Sequence, residues 1–125
     1  MVQTATTIRH LRMHELSIAE DMLTMIQQRA ESEHFRTVSK VWLEIGSLSH
    51  VEADAMIFCF DAVMAGTLAE NAQLEIIHTQ AQGKCRQCQH ISEVEHLYDP
   101  CPACGEFGVD IVKGDHVRIK SLAVY

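Results

Sequence analysis

Residues 85–104 read C-R-Q-C-Q-H-I-S-E-V-E-H-L-Y-D-P-C-P-A-C, two cysteine pairs with two-residue spacers set twelve residues apart. Two cysteines at i and i+3 in a tight turn can place both thiolates on one ion, and two such turns facing each other complete the tetrahedron that zinc accepts. The intervening stretch is slightly shorter than in the commonest four-cysteine template, yet long enough for a small hairpin. Two disulfides would use the same residues. No secretory signal is read at the start of the chain, however, and paired CxxC hooks in an intracellular protein more often hold a metal. A thioredoxin-like motif needs a single CxxC opening a helix. Cys85, Cys88, Cys101 and Cys104 are therefore the expected zinc ligands. Four thiolates close the shell and leave no position for water, so the expected role of the ion is structural.

With 125 residues, 47% of them apolar, the chain can bury one modest core. The roughly thirty residues around the cysteines are too few to fold without their metal. The expected fold is α+β: a small three-stranded sheet with two helices, carrying an inserted four-cysteine zinc-ribbon lobe. Its divisions are a flexible N-terminal arm over 1–12, an α/β domain over 13–82 and 115–125, and a zinc-binding domain over 83–114. The formal charge of −7 works against a sequence-independent grip on phosphate backbones and favours solubility. The cysteine lobe is acidic too, with Lys84, Arg86 and Lys113 against Glu93, Glu95, Asp99, Glu106 and Asp110. No apolar run approaches the roughly 20 residues that cross a bilayer. A cytoplasmic protein with neither a membrane nor a nucleic-acid partner is expected.

The opening MVQTATTIRHLR shows no apolar period and ends in basic residues, which is why an arm is expected there. Ser17 and Glu20 fit an S-x-x-E capping box. Ala19, Met22, Leu23, Ile26 and Ala30 then recur at helical spacing, widened by Ile18 and Met25, and predict a helix over 18–33. Methionines at that spacing are far more often core filler than metal ligands. Val41, Leu43 and Ile45 alternate with Lys40, Trp42 and Glu44, predicting a strand over 38–45. Met56, Ile57, Phe60, Val63 and Met64 predict a second helix over 54–65, with Gly66 placed to close it in a left-handed conformation. Cys59 inside that helix reads as a small buried hydrophobe. Strands over 74–81 and 115–125 flank the cysteine stretch, which holds short strand candidates over 90–95 and 109–112. A helix between the first two long strands fits a right-handed crossover, and the ribbon is inserted before the last strand.

Taken together, these features resemble the HypA/HybF family of hydrogenase nickel-insertion accessory proteins. The resemblance rests on Met13-His14-Glu15-Leu16-Ser17 opening an amphipathic helix, a strand ending in Ile45-Gly46, a second helix, and K-C-R-Q-C with P-C-P-A-C-G. It spans residues 13–125. It implies a nickel metallochaperone rather than an enzyme, with Ni(II) as transient cargo at the extreme N-terminus of one lobe and structural zinc in the other. It also implies a HypB-type GTPase as partner and the large subunit of nickel-iron hydrogenase as recipient, with urease maturation proteins served in some organisms. By this match His14 is the key nickel ligand, with Met13 and Glu15 as additional ligands. Glu52, at the turn before the second helix, is a further candidate.

The chemistry of that opening can be read independently. A histidine second in a chain can chelate one ion through the terminal amine, the intervening amide nitrogen and the imidazole, a nitrogen set that suits square-planar Ni(II) or Cu(II). Twelve residues precede Met13 here, and while they are attached the three-point chelate is lost. Met13 is therefore expected to be the working start. With Met1 as the start, nickel would have to combine His14 with His10 or His50, carboxylates and deprotonated amides.

Of the eight histidines, most are expected to be ordinary surface or core residues. His90 follows the first hook by two positions, but thiolates alone are expected at the zinc. A metal-dependent hydrolase is disfavoured because H-E-x-x-H is absent and residues 13–16 hold only half of it. A nucleic-acid module is disfavoured by the acidic lobe and the lack of interleaved aromatics. The remaining alternative is a zinc-stabilised protein-interaction module without metal delivery, which accounts for the cysteines but not for the M-H-E opening. Monomer and homodimer are both compatible with the sequence.

Overall fold

The computed structural model describes residues 15–125 and the backbone of 2–3 and 6–8. The chain runs through two short strands, β1 (Val2–Gln3) and β2 (Thr6–Ile8), into helix α1 (Glu15–Glu33). Strand β3 (Val38–Gly46), helix α2 (Ala53–Met64) and strand β4 (Gln73–Thr79) follow. The cysteine lobe contributes β5 (Gln82–Cys85), β6 (Ile91–Glu93) and β7 (Val109–Lys113) before the chain ends in β8 (Val117–Val124).

The apolar stripe anticipated for α1 is the buried one: Ile18, Ala19, Met22 and Ile26 are fully enclosed. The helix begins earlier than the S-x-x-E pattern predicts, so Ser17 is an exposed residue of the first turn and not a cap. Glu15 now stands in that turn, where a carboxylate complements the partial positive charge of the helix start. At the end of α2, Ala65 (φ −56, ψ 128) and Gly66 (φ 76) turn the chain, and the Thr67 amide donates to the Met64 carbonyl at 3.0 Å. This is a type II turn, which requires the positive φ that Gly66 supplies.

The crossover through α2 brings β4 alongside β3 in parallel, from Lys40↔Gln73 to Gly46↔Thr79. β8 pairs antiparallel with the other side of β3. The apolar residues of β8 change phase, being buried at Val117 and Ile119 and then at Leu122 and Val124. Strict alternation would put one of these pairs in solvent. Pairing that runs from Trp42↔Ser121 to Leu43↔Ile119 skips Lys120, and this bulge brings both pairs to the core face. On the opposite face Arg118 bonds Glu44 at 3.1 Å, and Lys40 lies 4.8 Å over the Trp42 ring.

Three long strands were expected, and β4, β3 and β8 supply them; the sheet has five because β1 and β2 both pair with the outer edge of β8. Residues 2–3 and 6–8 therefore depart from the flexible arm expected over 1–12. Valine, threonine and isoleucine suit a pleated surface, and β8 would otherwise present a row of unpaired backbone groups. The remainder of that arm lies outside the described residues.

One cluster joins α1, α2 and the sheet, with Met22, Leu43, Met56, Phe60, Met64 and Ile119 among its buried members. Each side chain enclosed this way contributes about 1.5–3 kcal/mol. Cys59 is half-buried against the same cluster. The cysteine lobe is a separate antiparallel sheet in the order β6-β5-β7, with a small core of Leu48, Ala81 and Val94. Leu48 comes from the loop after β3, so the two lobes share packing.

The joint between them is tight. The Leu48 amide donates to the Gly114 carbonyl at 2.9 Å, the Ala81 amide to Ser47 Oγ at 2.9 Å, and the Gly46 amide to the His116 carbonyl at 3.0 Å. A side chain on Gly114, whose φ is 87, would run into the Ala81 backbone.

Candidate metal centre

The two cysteine hooks are built alike. In the first, the Gln89 amide donates to the Cys85 carbonyl at 2.9 Å, and the Cys85 amide donates to the His90 carbonyl at 2.9 Å. In the second, the Gly105 amide donates to the Cys101 carbonyl at 2.8 Å, and the Cys101 amide donates to the Glu106 carbonyl at 2.9 Å. The residue after each hook has positive φ, 67 at Gln89 and 76 at Gly105. C-x-x-C followed by a left-handed residue is thus the repeating unit, and it folds each pair of thiols back towards the other.

Cys85 ends β5, while Cys101 is reached by the loop after β6. Arg86 ties the first hook to β7, its amide donating to the Gly108 carbonyl at 3.0 Å and its Nε to Asp110 Oδ1 at 3.0 Å.

All four sulfurs come together. Cys85 Sγ lies 3.7 Å from Cys104 Sγ, Cys88 Sγ lies 3.6 Å from Cys101 Sγ, and all four are within 4.8 Å of one another. A regular tetrahedron with metal–sulfur bonds of about 2.3 Å has sulfur–sulfur edges of about 3.8 Å, so the quartet fits a closed shell. Among the described residues it is the one group of three or more metal-ligating side chains that could share an ion. Each hook provides one buried cysteine, Cys85 or Cys101, and one exposed cysteine, Cys88 or Cys104.

The electrostatics also call for a cation. Backbone N–H groups inside the hooks favour the buried thiolates. The Cys88 amide and then the Gln87 amide bring Cys85 down to about 7 against burial, and the Cys104 and Ala103 amides lower Cys101. The exposed pair moves the other way. The His90 amide favours a Cys88 thiolate, but burial and the neighbouring Cys101 and Cys85 sulfurs outweigh it. The Glu106 amide likewise favours a Cys104 thiolate, yet burial and the other three sulfurs push this thiol up to about 12. Four thiolates at this spacing repel one another unless a metal ion neutralises them.

The other expected site residues are placed as follows. Glu15 is half-buried in the first turn of α1, and Glu52 is exposed at the N-cap of α2, with no side-chain bond to that helix. Met13 and His14 lie outside the described residues. His90 is exposed, and it serves the first hook through its backbone, its carbonyl accepting from the Cys85 amide and its amide favouring the Cys88 sulfur. Sequence reasoning did not single out Ser47, Leu48 or Gly114, which seat the cysteine lobe on the sheet. Their partners are distant in the chain; only the glycine gave a local signal.

The family model described as hydrogenase/urease nickel incorporation, metallochaperone, HypA matches residues 13–124. The hydrogenase maturation factor HypA of Geotalea daltonii is 47% identical over 112 residues, covering 90% of this chain and 99% of that protein. The corresponding protein of Azotobacter chroococcum is 41% identical over the same length and coverage. The solution structure of the Ni metallochaperone HypA from Helicobacter pylori has the same fold, with a TM-score of 0.71 at 24% identity over 90% of this chain and 97% of that one.

Proposed function

The chain belongs to the HypA family of hydrogenase and urease nickel-incorporation metallochaperones, and from this we propose that it binds Ni(II) at its N-terminal segment and hands it on for hydrogenase maturation. The observation that carries the reading is the family match itself, which begins at Met13, the first residue of the M-H-E opening. His14 is the central nickel ligand in this proposal, with the amine of Met13 and its neighbouring amide completing the nitrogen set and Glu15 beside them. Glu15 and Glu52 each stand at the start of one of two helices packed on each other, and in this proposal both carboxylates are candidate ligands. An exposed, stepwise-exchangeable ligand set suits delivery, and a HypB-type GTPase and the hydrogenase large subunit, or the urease maturation machinery, are the partners it would serve. A cytoplasmic setting goes with those partners; no helix among the described residues is long and apolar enough to cross a membrane.

In the same proposal Cys85, Cys88, Cys101 and Cys104 hold zinc. That ion, when bound, supplies charge compensation and a fixed link between the two hooks, while the chain's own amides orient the sulfurs.

The test is a nickel titration of zinc-loaded protein beginning at Met13, beside the full chain and a His14→Ala variant. The expected result is binding of a single nickel by the Met13 form and its loss in His14→Ala with zinc retained. If no form binds nickel, the chain is a zinc-stabilised interaction module and the delivery reading fails.

A further inference from the structure

The family match begins at residue 13, and relatives of 99% coverage are matched over only 112 residues. β1 and β2 therefore belong to an extension that those relatives do not share. Both lie on the side of β8 turned away from β3, and both pair with it antiparallel. Val2 pairs with Ala123 and Gln3 with Leu122, then Thr6 with Ile119, Thr7 with Arg118 and Ile8 with Val117. Without them this side of β8 is a bare edge, held in strand form by β3 on its other side.

We propose that the outer edge of β8 is a strand-docking site. β1 and β2 fill it in cis, and an extended peptide of the same β-branched chemistry, running antiparallel to β8, fills it in trans where the extension is absent. Main-chain hydrogen bonds give such β-augmentation its affinity, and an edge already in strand conformation needs no reordering to accept it. In the seated register an uncharged residue, Thr7, is the partner of Arg118. A second copy of the chain at this edge is the outcome against which the peptide is tested below.

The test uses hydrogen exchange on the full chain and on a Thr6→Pro/Thr7→Pro variant. Adjacent residues of an antiparallel strand point their amides to opposite sides, so one of the two prolines must delete a donor to β8. In the variant, the alternate β8 amides that face the extension should exchange about tenfold faster, the worth of one or two net hydrogen bonds. Those bonded to β3 should stay protected. Equal exchange of the outward amides in both proteins would overturn the cis pairing.

A second measurement stands even if that variant fails to fold. The chain beginning at residue 13, which comprises the part that the family model matches, is mixed with a synthetic peptide of residues 1–12. Restored protection of the outward amides by this peptide, and not by one carrying the two prolines, is the expected result. A peptide without effect would overturn docking in trans. So would outward amides already protected without peptide in a species of doubled mass by light scattering, which would give the edge to a second copy.

Discussion

Gly46→Ala tests whether the two lobes are held as rigidly as the joint implies. Gly46 closes β3 in ordinary strand backbone, so what it needs is room. A Cβ there would overlap the carbonyl carbon and oxygen of Gly114 and stand 2.8 Å from its Cα, where carbon atoms prefer about 3.5–4.0 Å. The neighbour is backbone and cannot swing aside as a side chain would. The Gly114 carbonyl also accepts the Leu48 amide at 2.9 Å, and the Gly46 amide is itself bonded to the His116 carbonyl at 3.0 Å. Relief must therefore displace the pass between β7 and β8 and stretch at least one of these bonds. Overpacking costs about 1–3 kcal/mol and a lost hydrogen bond about 1 kcal/mol, so the substitution should cost roughly 2–4 kcal/mol. For a chain of this length that is a fall of roughly 10 °C in Tm. Thermal unfolding of the zinc-loaded protein by circular dichroism measures it, with zinc content checked beforehand. A Tm within about 2 °C of the parent would refute the reasoning, because it would mean that the joint yields at little cost.

Zinc uptake by the metal-free protein at pH 7.5 should release at least about two protons, those held by Cys88 and Cys104, and metal affinity should rise with pH. Calorimetry in buffers of different ionisation enthalpy gives the count; release of fewer than about one proton would contradict the electrostatics assigned to the quartet. For Glu44, burial raises the pKa, but the Thr79 hydroxyl and the Arg118 guanidinium outweigh it and the net shift is downward. A carboxyl with a depressed folded-state pKa stabilises above its unfolded value near 4.5, and that contribution is lost as pH falls through the folded value. Arg118→Gln should accordingly cost at most about 1 kcal/mol near pH 7, since the pair is partly exposed, and the difference from the parent should shrink below pH 4.5. A difference that grew under acid conditions would reverse the assignment. Met56→Ala removes a side chain with no exposed surface from the main core and should cost about 2–5 kcal/mol in urea unfolding without altering zinc content. Loss of zinc from that variant would show the two cores to be less separate than their packing.

The quartet was legible because its constraint is local: C-x-x-C makes a turn whatever surrounds it, and only the facing of the two turns needed the fold. β3 was legible for a similar reason, since Val41, Leu43 and Ile45 keep a single phase and are all buried. β8 shows where local reading weakens. The shift from Val117 and Ile119 to Leu122 and Val124 is written in the sequence, but it becomes a bulge at Lys120 only when β3 fixes the register from the far side. Ser17 misled because a capping box can be matched by any serine three residues before a glutamate, while the true start is set by how far the helix extends towards Glu15. The N-terminal extension is the extreme case. Its threonines, valine and isoleucine favour a strand only weakly by themselves, as β-propensity largely measures fit to a neighbour. That neighbour, β8, lies more than a hundred residues away. The same dependence predicts that the extension is strand-like only while it is seated. Detached as a free peptide of residues 1–12, it should show no β-structure by circular dichroism, and it should gain it only with the chain beginning at residue 13 present. A peptide that folds or self-associates alone would mean that its own sequence, and not the edge of β8, determines its conformation.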